Sequence, residues 1–158
     1  MPEVSRIARP LATAGCLLAL LTGPVQADTE FLNASGIMPE GLPFSEAVRV
    51  GETYYLSGQV GVVPGRLALV PGGIEAEARQ AMENIGAVLE AQDLNFGHLV
   101  KCTVMLADMA DWDRFNAIYR EYVRPPYPAR SAFATGGLAL DARVEIECIA
   151  TADQSAAS

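Results

Sequence analysis

Residues 74–107 read IEAEARQAMENIGAVLEAQDLNFGHLVKCTVMLA, and within that stretch the spacing of apolar residues changes from that of a helix to that of a strand. Ala78, Ala81, Met82, Ile85, Val88 and Leu89 fall on one stripe at i, i+3, i+4, i+7, i+10 and i+11, which predicts an amphipathic helix from Ile74 to about Gln92. Glu75 and Glu77 complement the positive end of its dipole. From Leu99 to Ala107 the chain is mostly apolar and β-branched residues enter, which predicts a central strand. A one-sided helix feeding a central strand calls for helices laid on a sheet.

Outward from that stretch the same pattern continues. On the N-terminal side, Glu46 to Val50 alternates polar and apolar, Gly51-Glu52 supplies a turn, and Thr53 to Leu56 follows as a run of β-formers, which together predict a hairpin. Pro64-Gly65 and Pro71-Gly72-Gly73 punctuate a loop, with Leu67 to Val70 as a short strand between them. On the C-terminal side, Asp108 and Asp111 flank the start of a second helix, on which Trp112, Phe115, Tyr119 and Tyr122 recur as a core-facing stripe; Pro125 and Pro126 end it. Two strands close the chain, Ser131 to Ala134 and Arg143 to Thr151. The predicted fold class is α+β, a single mixed β-sheet with two helices packed on one face. The other face stays open, and apolar residues there would be covered by oligomerisation.

Length and composition bound the rest. Residues 1–27 read as a cleavable export signal: Arg6 and Arg9, an apolar run from Leu11 to Leu21, then Val25-Gln26-Ala27 before Asp28. The run is too short to span a bilayer, which takes roughly 20 residues. An uncleaved N-terminal helix is the alternative, and lipid attachment at Cys16 fits less well because the apolar run continues past it. Cleavage after Ala27 predicts a periplasmic or secreted protein with no membrane attachment. It divides the chain into the signal (1–27), a polar lead-in (28–42), one domain (43–152) and a tail (153–158). The full chain has 11 basic and 19 acidic residues; without Glu3, Arg6 and Arg9 the balance is 9 to 18, a net charge of −9. Such a surface repels phosphate backbones, so no nucleic-acid partner is expected. Cys102 and Cys148 sit in apolar runs and are expected to be free, buried thiols, with a disulfide between them as the alternative that export would allow. With His98 as the single histidine and no CxxC, no metal site is expected, and His98 reads as a surface residue of the helix-to-strand connection.

The charges that stand out in the apolar C-terminal third are Arg130, within Pro128-Ala129-Arg130-Ser131, and the pair Glu145 and Glu147, within Val144-Glu145-Ile146-Glu147. Charge placed there must be paired or bound to something. Arg130 can clamp a planar carboxylate bidentately, and a partly buried glutamate can share a proton with water. A structural ion pair between the two strands is the plainer alternative. Strand alternation puts Glu145 and Glu147 on one face and does not separate them.

These segments, with Pro43-Phe44-Ser45-Glu46-Ala47, Leu56-Ser57-Gly58-Gln59, Gln80 to Asn84, Val100 to Leu106 and Phe115-Asn116, resemble in order and spacing the RidA/YjgF family of reactive-intermediate deaminases. The resemblance covers Pro43 to Ala150. It implies a chorismate-mutase-like fold, a homotrimer with clefts between subunits, no cofactor, and hydrolysis of enamines and imines such as 2-aminoacrylate, 2-iminobutanoate and 2-iminopropanoate to 2-keto acids and ammonia. By the same resemblance Arg130 holds the substrate carboxylate, Glu145 activates water, and Phe44, Ser57, Gly58, Asn116 and Ala132 line the cleft. The family usually carries tyrosine at the position of Phe44 and cysteine at that of Ala132. Binding of small carboxylates without turnover is the alternative that Phe44 raises.

Overall fold

The structure is a computed structural model that describes residues 27–153. The predicted export signal, apart from Ala27, and the tail, apart from Asp153, lie outside the described residues.

The elements run β1 (Thr29–Leu32), β2 (Ala47–Val50), β3 (Thr53–Leu56), β4 (Gln59–Val60), α1 (Ile74–Glu90), β5 (Leu99–Leu106), α2 (Trp112–Tyr122), β6 (Ala129–Ala134) and β7 (Val144–Thr151). The sheet order is β1-β2-β3-β7-β5-β6, and β4 pairs with β7 beside β3. All pairings are antiparallel except β5 with β6, whose parallel register needs the crossover that α2 provides. The last strand therefore inserts into the middle of the sheet.

The predicted hairpin forms with Val50 opposite Thr53 across Gly51-Glu52. Two strand predictions need correction. The lead-in contains β1, which pairs with β2, whereas Leu67 to Val70 makes a single bridge, Val62 to Leu69. Pairing decides both, and local composition does not reveal it.

Each α1 residue in the predicted stripe is buried, and they pack with Val104, Leu106, Phe115, Val144 and Ile146 into one core. Burial alternates along β7: Val144, Ile146, Cys148 and Ala150 lie under the helices, while Glu145, Glu147, Ile149 and Thr151 face the open side. Tyr55, opposite Ile149, and Phe133, level with Met105, lie on that side and are half exposed.

Two fastenings hold the start of β7. The buried Glu77 carboxylate accepts the backbone N–H of Arg143 at 2.7 Å, and the buried Asp111 carboxylate is paired with the Arg143 guanidinium. Gly61 lets α1 approach, since a Cβ there would lie 2.6 Å from Glu77 Cα.

The cysteine expectation is overturned. Cys102 and Cys148 are directly opposite in the β5–β7 register, with Cα atoms 4.1 Å apart, and form a buried disulfide. The chain separates them by 46 residues, and the insertion of β7 beside β5 brings them together.

Candidate functional site

Arg130 lies in β6 and pairs in register with Cys102, so its side chain belongs to the helix-covered face. There α2 receives it. Nη2 donates to Asn116 Oδ1 at 2.7 Å, and Cζ sits 4.6 Å from the ring centroid of Tyr119, 4.9 Å from Trp112 and 5.9 Å from Phe115. Such stacking stabilises a cation by about 0.5–2 kcal/mol per contact and fixes its direction. Trp112, Asn116 and Tyr119 are i, i+4 and i+7 on one helix, hence a single face. With Arg120, Tyr127 and Arg130 they border a cleft of about 400 Å³.

The aromatic stripe is therefore divided. Phe115 is fully buried core, but Trp112 and Tyr119 are also walls of the cleft. Their role was missed because aromatic residues at helical spacing look like core; the signal was Asn116, a polar residue on the same face. Ala132 follows Arg130 on that face of β6 and packs against the core.

Glu145 occupies a different place. It is level with Met105 on β5, one position out of phase with Cys102, so it projects from the open face of the sheet. Arg130 and Glu145 thus lie on opposite faces of one protomer, β5 runs between their strands, and they form no ion pair with each other. Among the described residues the Glu145 carboxylate makes no hydrogen bond. Burial pushes its pKa up from the ordinary glutamate value, and the Glu147 charge adds to the push.

Gly58 lies directly against that carboxylate: a Cβ would stand 3.0 Å from Glu145 Cδ and closer still to Oε1. Ser57 spends its hydroxyl locally, donating to the Ser45 carbonyl at 2.6 Å. That bond ties the segment carrying Phe44 to the strand end beside Glu145. Phe44 is half exposed and borders a separate hollow of about 180 Å³ with Met38, Leu42 and Glu46. The seven predicted site residues are thus dispersed: Arg130, Asn116 and Ala132 under α2, Glu145 and Gly58 in contact across the sheet with Ser57 next to Gly58 in the chain, and Phe44 in a hollow of its own. Among the described residues no cluster of three or more His, Cys, Asp or Glu is placed to hold a metal.

Comparison with known proteins agrees with this architecture. Residues 37–152 match the family model described as Endoribonuclease L-PSP. The 2-iminobutanoate/2-iminopropanoate deaminase of Mus musculus is 48% identical over 108 residues, which cover 68% of this chain and 80% of that protein. RidA from an Antarctic Psychrobacter is 34% identical with a TM-score of 0.73, over 77% of this chain and 98% of that one. Escherichia coli TdcF, solved with bound serine, is 27% identical with a TM-score of 0.71, over 78% and 99%. On this fold, these motifs and these matches, the chain belongs to the RidA/YjgF family.

Proposed function

We propose that this protein hydrolyses small 2-imino carboxylates and their enamine tautomers, of the 2-aminoacrylate and 2-iminobutanoate type, to 2-keto acids and ammonia. The observation that carries the reading is the Arg130 clamp, a guanidinium held by Asn116 and three rings beside a cleft of small-molecule size. Arginine suits the task because its fork matches a carboxylate and its charge does not titrate. The name of the mouse relative and the serine bound to TdcF, an amino carboxylate, support the same class of ligand.

Arg130 holds the carboxylate and presents the adjacent C=N carbon. Water adds to that carbon while Glu145 takes one of its protons and passes it to nitrogen, giving the amino alcohol; Glu145 then carries the remaining hydroxyl proton to nitrogen as C=O forms, the C–N bond breaks and ammonia leaves. A carboxyl whose pKa is raised toward the working pH is suited to both halves of that transfer. The reaction consumes one water and transfers no electrons.

One protomer presents its two groups on opposite sides, so the reading includes assembly: a trimer in which Glu145 of one protomer faces the Arg130 cleft of the next. The partly apolar open face, with Tyr55, Met105, Phe133 and Ile149, supports it. The reading also includes export with cleavage after Ala27, which the Cys102–Cys148 disulfide supports because such bonds persist in oxidising compartments. The test is keto-acid formation from freshly generated 2-aminoacrylate or 2-iminobutanoate, comparing wild type with Arg130→Ala. Acceleration by the wild type that the variant loses is expected. No acceleration, or equal rates, sinks the reading.

A further inference from the structure

The cleft beside α2 carries more positive charge than one carboxylate can meet. Its walls include two arginines, Arg120 and Arg130, and no acidic side chain, in a chain with 19 acidic and 11 basic residues. Neither guanidinium is in an ion pair among the described residues. Arg130 has Asn116 and its aromatic supports, whereas Arg120 has no side-chain hydrogen bond and no stacked ring among the described residues. The other arginine of α2, Arg114, reaches both Glu75 and Asp111.

Placement leaves Arg120 unpaired. The positions three and four residues away, where a carboxylate would pair with it, hold Asn116, Ala117, Val123 and Arg124, and the adjacent Glu121 is taken by Arg79. A cation in the last turn suits the helix dipole, but the dipole acts throughout that turn and does not select the position that borders the cleft. Two like charges beside one cleft repel, and a monocarboxylate gripped by Arg130 leaves the second unanswered. Arg120 follows Asn116, which accepts from Arg130 Nη2, by one turn of α2, about 5–6 Å between Cβ atoms. The carboxylate carbons of a five-carbon dicarboxylate are separated by four C–C bonds of about 1.5 Å, hence about 5 Å when extended. The two scales match, and Tyr127 and Pro128 add wall surface suited to the methylenes of such a ligand.

We propose that Arg120 is a specificity-determining residue: it pairs with the distal carboxylate of 2-imino dicarboxylates, of the 2-iminoglutarate type, while Arg130 grips the carboxylate next to the C=N carbon. The inference rests on reading this cleft as the carboxylate site of an imine hydrolase, and it names the substrates that the site prefers. The long stem of Arg120 lets it swing into solvent when a shorter acid binds, so dicarboxylates are favoured without monocarboxylates being refused.

The experiment uses the whole protein with Arg120→Gln, Arg120→Glu and Arg120→Lys. Calorimetry compares 2-oxoglutarate with 2-oxohexanoate, a keto acid of matched length and uncharged tail, and initial rates compare the corresponding imines, freshly generated. The readout is the ratio of the two affinities and of the two kcat/KM values. A merely structural effect weakens both ligands together and leaves that ratio alone. Arg120→Gln should lower the preference for the dicarboxylate about fivefold, the upper end for a partly exposed ion pair. Arg120→Glu should lower it further, Arg120→Lys should keep most of it, and added salt should shrink it in the wild type. A ratio that Arg120→Gln changes by less than about twofold overturns the inference. So does a wild type that binds neither keto acid. Arg120-dependent preference in binding without hydrolysis removes the deaminase reading alone; hydrolysis of both imines with a ratio indifferent to Arg120 removes the Arg120 inference alone.

Discussion

Arg130 and Glu145 are the two ionisable groups on which the proposed reaction depends, and the fold treats them in opposite ways. Arg130 is fully prepared in one protomer: β6 places it on the covered face, Asn116 fixes one nitrogen, and rings from α2 support the guanidinium. Glu145 stands on the open face with no hydrogen-bond partner among the described residues, beside a like charge and against a glycine. Pre-positioning suits a group that must bind. A carboxylate left unpaired keeps its proton affinity high, which suits a group that must exchange protons. On the proposed reading the difference teaches that binding is built into the protomer, whereas the acid–base group would acquire its counterpart through the proposed assembly.

The sharpest way to break that comparison is to remove Arg130. Arg130→Ala deletes a bidentate, charge-assisted contact, so kcat/KM should fall about 10³-fold and keto-acid binding with it. Calorimetry and initial rates on the same preparation check both. If binding survives while turnover is lost, Arg130 belongs to the chemistry and the division of labour is wrong.

Next in size is the disulfide beneath the Arg130 side of the sheet. Cys102 is the register partner of Arg130 as well as of Cys148, so the bond braces the strand next to the clamp. Closing a loop across a 46-residue separation should contribute about 2–4 kcal/mol. A Cys102→Ala/Cys148→Ala protein is expected to lose that much in denaturant unfolding while keeping its fold, because the surrounding core is apolar and continuous. Equal unfolding midpoints for the two proteins would remove the brace from the argument.

A smaller substitution acts on the other half alone. Gly58→Ala places a methyl where the Glu145 carboxylate lies, so the carboxylate must move. The expected result is a fall of about tenfold in kcat with keto-acid affinity unchanged, since a misplaced proton-transfer group costs turnover rather than grip. If affinity falls instead, the two halves share more than the protomer reveals.

How much of this was legible in the sequence follows from what each feature depends on. The α1 stripe and the β2–β3 hairpin depend on local periodicity and turn chemistry, and both were legible. The family motifs also made Arg130 and Glu145 legible as residues. Which face each takes was not, because parity on β6 relative to β7 is set by the register each makes with β5. The same parity places Cys102 opposite Cys148, and so the sequence left the disulfide as the lesser alternative for the same reason. Strand β1 was missed because Thr29 to Leu32 is a strand by virtue of pairing with β2. Trp112 and Tyr119 were hidden because a ring that walls a cleft and a ring that fills a core have the same spacing.

The smallest expected effect is a dependence of stability on pH. In the folded protomer the Glu145 pKa is raised above 4.5, by burial first and Glu147 second. Folded chains thus hold a proton that unfolded chains release, and stability falls as pH rises from the ordinary glutamate value through the folded one. Glu145→Gln removes that loss. Relative to wild type, the variant should gain stability between acid and neutral pH, by less than about 1 kcal/mol because the carboxylate is still partly in water. Thermal midpoints at both pH values, taken at several protein concentrations, check it. A variant that is instead less stable at neutral pH, and increasingly so at concentrations favouring assembly, would mean that a neighbouring protomer brings a cation to Glu145. The prepared arginine and the unpaired glutamate would then be two sides of one site.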